Sequence, residues 1–217
     1  MQAIFEEAIK FAFKDRNWIL KILIGGILGL IPVVNVIFII GYSLVLLRDS
    51  VDNKPAVLPE WSGWMDFGKN GSRGLLVLLF YGIPAIILGA LATVPAIGKA
   101  FYALFILANL VTLPLFTLAL IAWHKQGTLK SAFAVKDVWK SFAKDAQNYL
   151  IVTLVLAIPP LVVSLIFHYV GYGTFGYHSP VLFFPGAFLQ LVLGCLWFWL
   201  GIVGARVFGQ MHTLEKK

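Results

Sequence analysis

Carboxylate, histidine and cysteine side chains are the groups of this 217-residue chain that could carry out acid–base, nucleophilic or metal chemistry. All ten carboxylates lie in polar segments between long apolar runs, and none lies within a run. Ion-driven transporters use ionisable residues inside the membrane, and intramembrane aspartyl proteases use a carboxylate there, so the sequence argues against both classes. The four histidines lack the spacing of metal ligands, and Cys195 is the only cysteine. We therefore expect no catalytic, cofactor-binding or metal-binding residue, and a protein that is not an enzyme.

Uncharged polar residues do occur within the apolar runs, and three of them, Asn35, Asn109 and Gln190, carry amide groups. In one interpretation these side chains hydrogen-bond neighbouring helices, each bond contributing about 0.6 kcal/mol. In the other they line a pathway for a small uncharged or lipid-like solute. The first interpretation is favoured because polar residues in membrane helices so often serve helix packing. The pathway remains the alternative.

Basic and tryptophan side chains gather in two of the polar segments, "LPEWSGWMDFGKNG" at 58–71 and "VKDVWKSFAK" at 135–144. The net charge of +7 is spread over short segments rather than a soluble module, so it does not indicate nucleic acid as a partner. Lys and Arg beside a membrane attract anionic headgroups by about 1 kcal/mol each, and Trp prefers the interface. The candidate face for anionic lipid, a protein partner or a second copy of the chain comprises Trp61, Trp64, Lys69, Arg73, Lys136, Trp139, Lys140 and Lys144.

The composition indicates which elements must position these residues. Hydrophobic residues make up 60% of the chain and charged residues 12%, against about 45–50% and about 25% in soluble domains. Uncharged apolar runs at 74–98, 100–123, 149–167 and 181–205 are each close to the length of about 20 residues that a membrane-crossing helix needs. We expect an all-α integral membrane protein that forms a single membrane domain over 1–217.

The first apolar run, 18–47, contains Pro32 and Asn35 at its middle, and the distribution of charge decides its topology. A single crossing would divide the Lys and Arg residues five to twelve between the two sides. A turn at 32–35 places sixteen of the seventeen on one side and Lys99 alone on the other. The positive-inside bias favours this hairpin, with both termini in the cytoplasm and Asn35 as the N-cap of the second leg. The legs, 18–31 and 36–47, are 14 and 12 residues long, so the hairpin is expected to be short or re-entrant.

A threefold internal repeat accompanies this hairpin. The segments "FKDRNW", "FGKNGS" and "FAKDAQ" each precede an Ile-Pro pair by a similar distance, and an amphipathic stretch lies before each segment. The repeat units are 1–58, 59–130 and 131–217. Each unit is expected to hold a cytoplasmic-side amphipathic helix followed by two membrane-embedded helices. The sequence thus predicts six membrane-embedded helices in three hairpins.

The order "FKDRNWILKILIGG…IP", "GY…LLRDSVDN" and "LPEWSGWMDFGKNG" over residues 10–73 resembles the prokaryotic integral-membrane family called domain of unknown function 4013. This resemblance implies a multi-pass protein of a bacterial or archaeal cytoplasmic membrane, and it implies no catalytic residue. The Gly25-xxx-Gly29 spacing in the same stretch predicts close helix packing, either within the chain or between protomers.

Two functions from different classes follow from these observations. The leading expectation is a non-enzymatic scaffold or accessory module that interacts with lipids or partners through a basic, Trp-rich cytoplasmic face. The alternative is a passive permease or channel for a small uncharged or lipid-like solute.

Overall fold

A computed structural model describes residues 2–31, 33–55, 57–95, 97–174 and 183–214 of the chain, with the backbone alone at 160–161, 163–174, 183–190 and 214. The described residues form eight α-helices and no strand. Short 3-10 helices occupy Ala12–Lys14 and Leu129–Phe133. The α-helices are α1 (Gln2–Lys10), α2 (Trp18–Leu28), α3 (Val34–Val51), α4 (Trp64–Ala92), α5 (Gly98–Gln126), α6 (Val135–Lys144), α7 (Ala146–Thr174) and α8 (Phe183–Leu214).

Four helical segments are long and apolar enough to cross a membrane: Val34–Val51, Trp64–Ala92, Gly98–Gln126 and Leu191–Thr213. Two shorter apolar helical stretches, Trp18–Leu28 and Ala146–Pro159, accompany them. An all-helical chain with this many apolar helices is consistent with the predicted class of membrane protein.

The predicted legs of the first hairpin differ from the helices that form. Helix α2 has 11 residues and α3 has 18, instead of 14 and 12. Helix α3 is longer because Arg48, Asp49 and Ser50 continue its last turns, where a basic residue is favourable. Asn35 is not the N-cap, since α3 begins at Val34 and its N-cap residue Val33 makes no side-chain capping bond. The predicted turn residue Pro32 lies outside the described residues.

The prediction of a separate amphipathic helix in each repeat unit is wrong for the second unit. Residues 64–92 form one continuous helix, because no proline separates its polar start from its apolar part. Pro84 within α4 and Pro114 within α5 do not end their helices either. The first and third units do have the expected short helices, α1 and α6. The Gly and Pro residues of "GYGTFGYHSP" at 171–180 predict a loop, but residues 171–174 belong to α7, and 175–180 lie outside the described residues.

Glycines allow the helices to approach closely, as two of the contacts illustrate. A Cβ added at Gly71 of α4 would lie 1.9 Å from the carbonyl oxygen of Ile37 in α3, so the two backbones nearly touch there. A Cβ at Gly29 at the end of α2 would lie 3.3 Å from the Cα of Gly194 in α8. The Gly25-xxx-Gly29 spacing thus serves packing within the chain in this structure.

The apolar core of the described residues consists of two clusters. The larger one lies among α3, α4, α5 and α8, with Tyr149 of α7 and Phe142 of α6 packed into one side of it. The smaller one surrounds Tyr42, Trp61 and Phe198, where α2, α3 and α8 meet. This second cluster positions the segment that precedes α4.

Candidate functional site at the basic end

The Pro-Glu-Trp segment at 59–61 is bound to the start of α2 by a buried lysine. The side chain of Lys21 is only 3% exposed, although its Nζ carries a charge. That atom lies 2.8 Å from Asp15 Oδ2 and 2.5 Å from Glu60 Oε1, and it donates to the carbonyl oxygen of Leu58 at 2.9 Å. A buried ammonium needs such partners, because an unpaired charge away from water costs several kcal/mol. That cost is comparable to the free energy of unfolding of a whole domain. The segment before α4 is therefore tied to the first turn of α2.

The aromatic rings of the segment complete this junction. Trp61 Nε1 donates to the carbonyl oxygen of Lys21 at 3.0 Å, and its ring stacks on Tyr42 with centroids 4.6 Å apart. The Tyr42 hydroxyl donates to the carbonyl oxygen of Pro59 at 2.9 Å. Trp61 is consequently 7% exposed, and its contacts lie inside the chain. We call Asp15, Lys21, Glu60, Trp61 and Tyr42 the lysine junction.

The lysine junction lowers the pKa of the Asp15 carboxyl. Burial by itself would raise the pKa of this carboxyl, but hydrogen bonds from the Lys21 ammonium and the Asn17 N–H outweigh it and hold the pKa below the ordinary value of 3.8. Asp15 is therefore ionised near neutral pH and balances the Lys21 charge.

A second charged network joins the two ends of the sequence. Arg206 of α8 is buried, and its Nη2 lies 3.1 Å from Glu7 Oε1 of α1. Gln210 Nε2 donates to the other Glu7 oxygen at 2.7 Å, and Arg206 Nη1 donates to Ser50 Oγ at 3.2 Å. Near it, His124 Nε2 lies 2.9 Å from Asp52 Oδ1. We call the end of the helix assembly that contains this network and the lysine junction the basic end.

The candidate face predicted from sequence occupies two places at the basic end. Trp64, Lys69 and Arg73 are exposed along the start of α4, which packs against α3; we call them the α4 patch. Lys136, Trp139, Lys140 and Lys144 are exposed on α6, which packs against α5 and α7; we call them the α6 patch. Trp61 belongs to neither patch, although its ring stacks on Trp64 at 5.1 Å.

The α6 patch has a fixed geometry. Val138 and Phe142, on the other face of α6, are buried in the larger core cluster, and Phe142 contacts the ring of Tyr149 at 6.3 Å. Trp139 remains 52% exposed between Lys136 and Lys140. The helix therefore presents three cations and one indole outwards from a rigid support.

The residues of the predicted polar pathway are not brought to one described surface. Asn35 Nδ2 donates to the carbonyl oxygen of Gly29 at 3.3 Å and lines an open cleft of about 500 Å³. Asn109 is exposed on α5, donates to the carbonyl oxygen of Phe105 at 2.8 Å, and is not among the residues found to line this cleft. The side chain of Gln190 lies outside the described residues. The cleft is lined by Gly29, Leu30, Asn35, Ile39, Leu193, Gly194 and Trp197.

No cluster of three or more metal-ligating side chains occurs among the residues that were described. His124 bonds Asp52, and His212 contacts Lys125. The side chains of His168 and His178 lie outside the described part of the chain. Cys195 packs where α8 meets Gly26 of α2.

Sequence reasoning missed the central role of Lys21. The available signal was a lysine three residues inside an apolar run that begins at Trp18, since such a cation needs a buried partner. Its partners Asp15 and Glu60 are 6 and 39 positions away, so only the fold shows that they meet it.

Comparison with known proteins was made against family models, curated proteins and solved structures. The family model described as "Protein of unknown function (DUF4013)" matches residues 24–172. No curated protein and no solved structure matches the chain. The family match continues well beyond the Pro-Glu-Trp segment that first indicated it and covers more than half of the sequence. The chain belongs to the DUF4013 family.

Proposed function

We propose that the protein is a multi-pass membrane scaffold whose basic end faces the cytoplasm and binds anionic lipid, and that it is not an enzyme. The proposed arrangement has six membrane-embedded helices, α2, α3, α4, α5, α7 and α8, in three hairpins. Both termini lie in the cytoplasm of a prokaryotic cell, and α1 and α6 lie at the inner surface of its membrane.

Packing against α8 supports the first hairpin. Going along α2, Gly25, Gly26 and Gly29 approach Phe198, Cys195 and Gly194 in turn, so α2 and α8 run in opposite directions. Going along α3, Ser43 and Ser50 approach Gly201 and Gly209, so α3 and α8 run in the same direction. Because α2 runs antiparallel to α8 and α3 runs parallel to it, the chain must reverse its direction between α2 and α3. The lysine junction, which links the start of α2 to the segment after α3, fits the same turn.

The second hairpin has similar support. Gly89 of α4 approaches Phe105 of α5, and Gly74 of α4 approaches Leu120 of α5, so the contacts run in opposite order along the two helices. If the chain forms three hairpins, sixteen of the seventeen Lys and Arg residues lie on one side of the membrane. The positive-inside bias assigns that side to the cytoplasm. The three repeat units 1–58, 59–130 and 131–217 each contribute one hairpin in this arrangement.

The α6 patch is the observation that carries the proposed function. Lys136, Lys140 and Lys144 recur every four residues along α6, so they lie on neighbouring turns, with Trp139 beside them. Because the opposite face is held in the core, the helix needs no refolding to meet a surface. Three cations near an anionic leaflet attract it by about 1 kcal/mol each, and an indole is favourable at headgroup level. A partner protein with an acidic surface would use the same side chains.

The test compares the lipids that leave the membrane with the protein. The full chain is extracted in polymer-bounded nanodiscs from a membrane of phosphatidylglycerol and phosphatidylcholine, and the ratio of the two lipids is compared with that of the bulk. We expect enrichment of phosphatidylglycerol, which the variant Lys136→Gln/Lys140→Gln/Lys144→Gln reduces. The control is Lys99→Gln, since Lys99 is exposed in the first turn of α5. Equal lipid ratios in the disc and in the bulk would end the proposal.

Passive movement of a small uncharged or lipid-like solute is the second candidate, and the cleft beside Asn35 favours it. The cleft is mostly apolar with one amide, which suits an amphiphilic solute better than an ion. In liposome flux assays with glycerol as the probe, Asn35→Leu should lower the flux, whereas Asn109→Leu should not, because Asn109 lies elsewhere on α5. Flux equal to that of protein-free liposomes would exclude this function for glycerol.

A further inference from the structure

Arg48, in the last turn of α3, is the one partly buried cation of the described residues that forms no ion pair with a carboxylate. Three Lys or Arg side chains in the described part of the chain are buried or half-buried: Lys21, Arg48 and Arg206. Lys21 and Arg206 bond carboxylates, as set out above. The side chain of Arg48 makes neither an ion pair nor a hydrogen bond within the described part of the chain, and its Nε is buried. A buried N–H donor without an acceptor is unfavourable, so this group calls for an acceptor.

The neighbouring groups of the chain do not supply that acceptor. Asp49 Oδ1 accepts from Lys54 at 3.0 Å, and Asp52 Oδ1 lies 2.9 Å from His124 Nε2. The guanidinium carbon of Arg48 lies 5.2 Å from the centre of the Trp123 ring. This contact with the indole face attracts the charge of Arg48, but it offers no lone pair to the guanidinium N–H groups.

From these contacts we infer that Arg48 binds a phosphate group, and that a phospholipid of the proposed cytoplasmic leaflet carries it. A guanidinium suits phosphate because its donors form a planar fork that two phosphate oxygens accept together. Arg48 lies near the end of an 18-residue apolar helix, where headgroups meet a spanning helix. Trp123 beside it is followed by His124 and Lys125 in the last turn of α5, which adds positive charge near Arg48, and the carboxylates of Asp49 and Asp52 offset part of that charge. This site rests on the proposed binding of anionic lipid, but it is separate from the α6 patch.

The test counts lipids bound to the purified full chain in detergent by native mass spectrometry during titration with phosphatidylglycerol. We expect one tight site, whose dissociation constant Arg48→Gln raises about tenfold or more, because a charge-assisted bidentate contact is lost. Arg48→Lys keeps the charge without the fork and should raise it less. Arg16→Gln is the matched control, since Arg16 is exposed and takes the same change of charge.

The outcomes separate this site from the general attraction of the basic end. Substitution of the three α6 lysines should reduce the number of weaker bound lipids and leave the first site intact, so either proposal can fail alone. Competition by inorganic phosphate at millimolar concentration would assign the site to free phosphate as well as lipid. The inference would be overturned if folded Arg48→Gln bound the first lipid as tightly as the wild type. It would also be overturned if Arg16→Gln weakened that binding as much as Arg48→Gln does. If Arg48→Gln does not fold, wild-type affinity in Arg48→Lys would overturn the guanidinium contact.

Discussion

At the scale of single residues, the lysine junction shows how one buried cation can organise the segment that precedes α4. Lys21 joins three parts of the sequence: its own helix, Asp15 before that helix, and Glu60 in the segment that leads to α4. Charge pairs hold such segments in place only when both partners are removed from water, because exposed pairs contribute little. Glu60 is 69% exposed and Asp15 only 8%, so Asp15 is the partner that matters more.

Lys21→Met should lower the free energy of unfolding by about 3 kcal/mol, because it leaves the buried Asp15 carboxylate without its cation. The measurement is thermal or denaturant unfolding in detergent micelles. Lys10→Met is the control: the Lys10–Glu6 pair is largely exposed, with side chains 64% and 58% accessible, so its loss should cost about 0.5 kcal/mol or less. Equal stability of the two variants would show that the junction does not hold the segment.

Acid should loosen the same junction. The pKa of Asp15 is lowered by folding, so its contribution to stability is complete above its ordinary value of 3.8 and is lost as the pH falls through the lower folded pKa. Below about pH 4 we therefore expect the melting temperature to fall and tryptophan emission to shift to the red as Trp61 becomes solvated. In Asp15→Asn this acid-dependent step should be smaller, and the protein should be less stable at neutral pH. An unchanged acid profile in this variant would assign the transition to other carboxylates.

The sequence predicted the exposure of most site residues but not the burial of Trp61 in the lysine junction. Trp64, Lys69, Arg73 and the four residues of the α6 patch are exposed on their helices, as amphipathic spacing suggested. Trp61 is buried instead, because α4 begins only at Trp64 and Trp61 precedes the helix. Spacing rules apply within one element, so they cannot show that Tyr42 and the Lys21 carbonyl take up its ring and its N–H.

At the scale of elements, glycine decides how closely the helices pack. Sequence periodicity predicted most of the helices, because long apolar runs leave few alternatives in lipid. It did not predict that α4 begins at Trp64 without a break, nor that α3 extends to Val51, since helix ends depend on local partners. Which face of a helix meets its neighbour is set by small residues, and Gly71 is the closest such contact between α3 and α4.

Gly71→Ala should destabilise the protein, whereas Gly82→Ala should not. Both positions lie inside α4, so both substitutions gain helix propensity of about 1 kcal/mol. At Gly71 the new Cβ would meet the Ile37 carbonyl oxygen at 1.9 Å, so α3 and α4 must separate, and we expect a net loss of about 1–3 kcal/mol. A Cβ at Gly82 meets nothing within 4 Å. Thermal unfolding of the two variants side by side measures the difference, and equal stability would mean that α3 and α4 are not in close contact.

At the scale of the whole molecule, the proposed topology is the claim on which the others depend. The charge count and the direction of packing along α8 use different residues and lead to the same arrangement. Charge counting works because Lys and Arg in short loops beside membrane helices tend to stay in the cytoplasm, and these loops can be located from the sequence. The relative directions of α2, α3 and α8 required coordinates, because the contacts involve glycines spread over the chain.

Labelling with a membrane-impermeant maleimide on intact cells tests this topology. In a Cys195→Ala background, single cysteines at Val33 and Lys99 should react from outside, and cysteines at Asn53 and Gln126 should react only after the membrane is opened. All four positions are exposed in the structure, so the membrane and not burial decides their access. Asn53 is decisive because it follows α3 directly. If residues 18–47 crossed the membrane once, Val33 would lie within the bilayer, and Asn53 would lie on the side opposite the N-terminus. Reaction of Asn53 from outside would therefore contradict the hairpin, and with it the cytoplasmic placement of the lysine junction, the α6 patch and Arg48.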